Sequence, residues 1–195
     1  MVGGSEPDVA KAMPIFDALR PDGDAADGFV HAGPVGAGHY AKMVHNGIEY
    51  GLMQAYAEGY ELLEAESLIA DVPGVLRAWS KGTVVRSWLL DLLVDALEED
   101  PELAQITGYT EDSGEGRWTV EEAIKHAVPA PVISAALFAR FASRQDDSPA
   151  MKRCQPCVIS SVVTRSRALR PRIRLLEAKC SFVDFRCGTS DPGIR

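Results

Sequence analysis

In the stretch GHYAKMVHNGIEYG, residues 38–51, four side chains able to carry charge or move a proton fall close together: Lys42, His45, Asn46 and Glu49. On a helix turning about 100° per residue they share about 100° of arc, and Lys42 and Glu49 stand two turns, roughly 10 Å, apart along the axis. An amine and a carboxyl so placed suit the two ends of a small polar substrate. To act as a base the lysine must shed its proton, and to act as an acid the glutamate must hold one. Reference pKa values of about 10.4 and about 4.3 make both roles depend on burial or neighbouring charge. Gly47 and Gly51 each cost about 1 kcal/mol in a helix relative to alanine. They let a ligand or a neighbouring backbone come close. A Lys/Glu helix face is usually only solvated, and a lone helical histidine is usually structural. The coincidence of all these residues behind a glycine-rich approach, GPVGAGHY, sets this stretch apart.

The elements that must position these groups are mostly helical. A long helix is expected from about Gly36 to Glu66, with Met43, Ile48, Leu52, Met53, Tyr56, Tyr60, Leu62 and Leu63 as its apolar surface. Before it, Ser5 caps a helix in which Val9, Met13, Ile15, Phe16 and Leu19 share a face, and Pro14 is expected to end or kink it. GFVHAGP, 28–34, reads as a short strand at Phe29–His31 closed by Gly33-Pro34. After the long helix come a short helix at 72–81 and an amphipathic one at 83–100, in which Val85, Trp88, Leu89, Leu92, Leu93 and Leu97 recur and which Pro101 ends. YTEDSGEGRW, 109–118, reads as a loop, either a glycine-rich connection ending in an anchored Trp118 or a substrate loop. Thr119 and Glu122 have capping-box spacing, so a helix is expected from about Val120. A last helix follows Pro129 and Pro131 and runs to about Ser143.

The chain has 195 residues and 46% hydrophobic composition, enough for one ordinary domain with a core. It has no apolar run of membrane-spanning length and no signal-peptide pattern, so a cytoplasmic protein without membrane contact is expected. The net charge of −8 is unevenly spread: residues 1–152 carry 11 Lys/Arg and 25 Asp/Glu, residues 153–195 carry 9 and 3. All four cysteines, Cys154, Cys157, Cys180 and Cys187, lie in that basic tail. Cys180 and Cys187 are too far apart for the second pair of a zinc ribbon, and no metal is expected. An Arg-rich arm for nucleic acid, RSRALRPRIRLL, is the weaker reading of the tail. Without periodicity, the tail reads as sequence translated out of frame, poorly ordered or accidentally helical.

GAGHYAKMVHNGIEYG resembles the signature of decarboxylating 6-phosphogluconate dehydrogenase. VVRSWLLDLL, EDSGEGRWT and ALFARFASRQ resemble the short, bacterial-type branch of that family. The likeness covers residues 1–152. It implies a mainly α fold, the helical C-terminal substrate and dimerisation domain, with a remnant of the α/β Rossmann domain at the N-terminus. The domains would be 1–35, the end of a nucleotide-binding domain; 36–152, an all-helical substrate domain; and 153–195, an aberrant tail. The implied reaction is oxidative decarboxylation of 6-phosphogluconate to ribulose 5-phosphate, a step of the pentose phosphate pathway.

Within that resemblance, Lys42 is the base at the 3-hydroxyl and then, protonated, polarises the keto group as CO₂ leaves. Glu49 protonates C1 of the enediol. His45 and Asn46 contact substrate hydroxyls and carboxylate, while Tyr50 and Arg140 contact phosphate, for which the guanidinium fork is well shaped. Taken alone, one arginine on a helix is usually a surface ion pair. The longer enzymes carry a lysine and a threonine for phosphate where this chain has Ser113 and Glu115, so those two roles do not transfer. NAD or NADP is the implied cofactor, with the choice set by a domain expected upstream of Met1; no G-x-G-x-x-G occurs here. A homo-oligomer through the helical domain is expected, and without the nucleotide domain the chain alone is expected to show no turnover. A non-catalytic helical scaffold is the alternative.

Overall fold

A computed structural model describes residues 1–20 and 27–156. Met1–Asp147 form one compact unit, and a second begins at Ser148, of which the described part is helical over 149–156. Cys154 is an exposed free thiol. The readings placed on Cys157, Cys180, Cys187 and the arginine-rich segment lie outside the described residues.

Among the described residues of the first unit there are six α-helices: α1 (Glu6–Leu19), α2 (Ala37–Ala65), α3 (Val72–Ser80), α4 (Trp88–Glu99), α5 (Glu115–Lys125) and α6 (Pro131–Ala142). α2, with 29 residues, spans about 44 Å at the standard rise and is the axis of the fold. Its first half packs against α5 and α6, and its second half against α3 and α4.

The expected remnant of a Rossmann domain is not borne out: among the described residues there is no β-strand. The segment read as a strand forms only an isolated parallel bridge, Val2 with His31. Val2 N donates to Val30 O at 3.0 Å and Ala32 N donates to Val2 O at 2.8 Å. Alternation and β-branching give a segment the capacity to pair, but a strand exists only where a ladder extends over successive residues. Here the segment between Gly28 and Gly33-Pro34 finds one register position and no more.

Several helix boundaries also differ from the pattern reading. α1 is capped by the Ser5 side chain, which accepts from Asp8 N, yet it continues through Pro14. The carbonyl freed by the proline belongs to Ala10, an exposed residue, so losing its partner there costs little. Val9, Met13 and Phe16 are half-buried, whereas Ile15 and Leu19 face solvent. α4 starts at Trp88 rather than 83, because Ser87 caps it by accepting from Leu90 N at 3.1 Å. Its buried stripe is Leu90, Val94 and Leu97, while Trp88 is 78% exposed. α4 is apolar on most sides, so the choice of buried face was made by its neighbours.

Two separate cores result. One gathers Val72, Leu76, Leu90, Val94 and Leu97, with Tyr56, Tyr60, Leu63 and Trp79 packed around them. Leu76, Leu90 and Leu97 are fully buried, and each such side chain contributes about 1.5–3 kcal/mol. The other is smaller: Tyr50, Ala136 and Leu137, with Met53, Val120 and Phe141.

Candidate functional site

Glycine makes the smaller core possible. α5 crosses α2 at Gly47, where an added Cβ would lie 2.7 Å from the Thr119 methyl carbon. Reciprocally, a Cβ on Gly116 would lie 2.5 Å from the Tyr50 ring. Each helix thus offers a bare position to a side chain of the other, and Gly51 does the same for Val132 of α6. Both glycines singled out from the sequence therefore admit neighbouring helices.

Thr119 completes the crossing. It is not an N-cap: α5 begins four residues earlier, after Gly114 with φ of 103°, so Thr119 sits inside the helix. Buried there, its hydroxyl can donate to Glu115 O (2.8 Å) or to Met43 O (2.9 Å) of α2. The capping-box spacing was a coincidence, since Gly114 had already turned the chain into the helix. Nor is Trp118 anchored. It is 52% exposed, and its indole lies against Gly114.

On α2 beside this crossing the predicted residues do meet. Lys42 Nζ stands 3.8 Å from Glu49 Oε2, and His45 Nδ1 lies 3.4 Å from the same oxygen. Lys42 Nζ is 3.2 Å from His45 Nδ1, which is also 3.3 Å from Asn46 Oδ1. One ring nitrogen therefore faces a donor, Lys42, and two acceptors, Glu49 and Asn46. Carrying a proton, it donates to an oxygen; without one, it accepts from the ammonium. The arrangement can pass a proton between an amine and a carboxyl. Lys42 is 52% exposed and Glu49 33%, so the face is open to a ligand.

Tyr50 and Arg140 form a second group. The Arg140 guanidinium lies over the Tyr50 ring, 3.8 Å from its centroid, and its Nη1 donates to Glu111 O at 2.6 Å. The stack fixes the plane of the guanidinium and leaves it further donors.

Sequence reasoning missed the clamp on the loop between these groups. The Asp112 carboxylate is 2% exposed. Arg117 Nε donates to it at 2.5 Å and Arg144 Nη2 at 2.6 Å, while Arg144 Nε donates to Thr110 O at 2.9 Å. These pairs, Arg117 first, hold the Asp112 carboxyl well below the usual carboxylate range against the opposing effect of burial. Three guanidiniums thus grip residues 110–112. The next residue, Ser113, donates its N–H to Tyr50 OH at 3.1 Å and its hydroxyl to Glu115. An acid among arginines distant in sequence looks like any solvated charge; no spacing rule joins 112, 117 and 144.

A sequence model of the 6-phosphogluconate dehydrogenase C-terminal domain matches residues 38–166, past the end of the likeness expected at Lys152. The NAD(+)-dependent decarboxylating 6-phosphogluconate dehydrogenase of Haloferax volcanii is 45% identical over 148 residues, 75% of this chain and 48% of that protein. A decarboxylating 6-phosphogluconate dehydrogenase of Synechococcus elongatus is 36% identical over 152 residues, 73% of this chain and 32% of the relative. Among solved structures, 6-phosphogluconate dehydrogenase of Plasmodium falciparum, studied apo, with NADP+ and with 6-phosphogluconate, superposes with a TM-score of 0.64. It is 26% identical, and the alignment covers 91% of this chain and 37% of that one. The chain thus spans about half the length of the Haloferax relative and about a third of the other two.

The described residues do not fit a dinucleotide. They contain no strand, hence no glycine-rich strand-to-helix turn to cradle a pyrophosphate. No helix among them is long and apolar enough to cross a membrane. The match over 38–166 together with the two curated relatives shows that this chain belongs to the 6-phosphogluconate dehydrogenase family, through that family's C-terminal domain.

Proposed function

We propose that this chain is the substrate side of an oxidative decarboxylase acting on 6-phosphogluconate, of the short branch of its family. The higher identity to the Haloferax protein, in which a similar aligned length fills 48% rather than 32% of the relative, supports the branch. The observation that carries the reading is the meeting of Lys42 Nζ and Glu49 Oε2 at 3.8 Å on an open face, with His45 and Asn46 alongside.

In this reading Lys42, neutral once its proton has passed through His45 to Glu49, takes the proton of the 3-hydroxyl as that carbon is oxidised, and NAD or NADP is the oxidant the family uses. The described residues offer the dinucleotide no seat, so the chain itself supplies binding and proton transfer. With C3 a ketone, the C1–C2 bond breaks. Its electron pair passes into the enediol, CO₂ departs, and protonated Lys42 stabilises the developing oxyanion. Glu49 then delivers a proton to the former C2, which becomes C1 of ribulose 5-phosphate. Asn46 and His45 orient the acid end, and Arg140, held flat by Tyr50, receives the phosphate.

The test is a titration of the chain with 6-phosphogluconate followed by NMR, with Lys42→Met and Arg140→Met as comparisons. Binding by the parent chain and loss of at least about tenfold in each variant is the expected result; no binding by the parent sinks the reading. Adding NAD or NADP is expected to give no measurable reduced cofactor from this chain alone. A normal rate would show that a nucleotide site is present after all.

A scaffold role through self-association has its own observation. Between α2 and α4 an apolar groove of about 420 Å³ is lined by Met53, Tyr56, Leu89, Leu92 and neighbours, with Trp88 exposed on α4. We read it as part of a homo-oligomer interface, to be tested by sedimentation of the chain against Leu92→Lys.

A further inference from the structure

One carboxylate at the site has no role in the reaction above. Glu115 is the first residue of α5, and several contacts fix its place over α2. The Thr119 hydroxyl, within reach of both Glu115 O and Met43 O, ties this turn beside Lys42. Gly116 rests on the Tyr50 ring, and Ser113 joins the Glu115 carboxylate to the Tyr50 hydroxyl. The Ser113 hydroxyl, then the residue's own backbone N–H, lower the affinity of Glu115 for a proton, and the Lys42 charge and Asn46 side chain act in the same direction.

An ionised carboxylate accepts hydrogen bonds and donates none. It welcomes a hydroxyl and repels the oxygens of an anion. Charge across the site is divided in the same sense. Near Asn46, one ammonium, Lys42, faces two carboxylates, Glu49 and Glu115. Towards α6, three guanidiniums gather on residues 110–112 around the paired Asp112.

Resting on the substrate reading above, we propose that Glu115 is a specificity-determining residue. It accepts a hydrogen bond from a mid-chain hydroxyl of the phosphorylated sugar acid and turns the phosphate away from Lys42 towards Arg140. The site is thereby selective for a polyol carrying its second anion at the far end.

The full chain and its Glu115→Gln variant are titrated separately with 6-phosphogluconate and with inorganic phosphate, each followed by NMR. Glutamine keeps the shape and removes the charge. The variant is expected to bind 6-phosphogluconate about tenfold more weakly, and inorganic phosphate equally or more tightly. The sign is diagnostic, since a carboxylate that only repels the anion would tighten 6-phosphogluconate binding when neutralised. Unchanged or tighter 6-phosphogluconate binding overturns the proposal. So does equal weakening of both probes, which marks a collapsed loop. If the parent chain binds neither probe, the substrate reading fails and this inference falls with it. Parent binding without loss in the variant overturns this inference alone.

Discussion

The two ends of α2 solve the same packing problem by opposite means. From Tyr56 onward the helix offers large side chains and is met by the leucines of α3 and α4, a core built by apolar burial with polar contacts only at its margin, the Tyr56 hydroxyl on Val85 O and the Arg77–Glu98 pair. Before Tyr56 it offers glycines, and its partners come close enough to be held by hydrogen bonds and ion pairs around a small core. The first kind of core tolerates error in geometry. The second fixes geometry and stores less energy. Side chains that must meet a ligand within a fraction of an ångström belong on the second.

Four substitutions test that contrast, in falling order of expected effect. Leu90→Ala empties a fully buried position of the apolar end and should cost about 3 kcal/mol in chemical denaturation. Folded protein should keep the NMR pattern of residues 110–115, because the two cores are separate. Asp112→Asn should cost about 2 kcal/mol near neutral pH by leaving Arg117 and Arg144 unpaired, less than a fully buried pair because Arg117 is 49% exposed. The native carboxyl is depressed, so its stabilisation is complete above the ordinary aspartate pKa of about 3.9 and fades as pH falls below it. Parent and variant should converge in denaturation midpoints measured in strong acid.

Gly116→Ala should cost about 1–3 kcal/mol by pushing Tyr50 aside, and should disturb the 110–115 resonances that Leu90→Ala leaves alone. Gly47→Ala should nearly cancel. A helix-propensity gain of about 1 kcal/mol offsets the crowding of Thr119, and part of the gain reappears when Thr119→Ala removes the methyl and hydroxyl, the residue 119 Cβ remaining 3.1 Å away. A double-mutant cycle should return a coupling of about 1 kcal/mol, and a coupling of zero would show that the crossing is loose.

Much of this was legible in the residues. The long helix was placed within a residue or so, because apolar periodicity over eight turns admits no competing reading. That Lys42, His45, Asn46 and Glu49 share one face followed from helix geometry, but that geometry sets Lys42 and Glu49 roughly 10 Å apart along the axis, and their side chains instead lean together to 3.8 Å. What failed was long-range in origin. Phe29–His31 had the composition of a strand and found only a single bridge. Thr119 had the spacing of a cap and became instead a buried tie to Met43. The stripe of α4 was chosen by α3 and α2 among several apolar options. Asp112, held by two guanidiniums, carried no local signal because its partners lie five and 32 positions away.

Trp118, half-exposed with its indole against Gly114, gives the protein an optical reporter of its own. Gly114 follows directly on Ser113, so a ligand that reorganises this corner must alter the polarity around that ring and shift its emission. Trp79 and Trp88 sit at the distant leucine-rich end, and replacing both with phenylalanine would isolate the signal. Occupancy could then be followed by fluorescence in real time, with no dye attached.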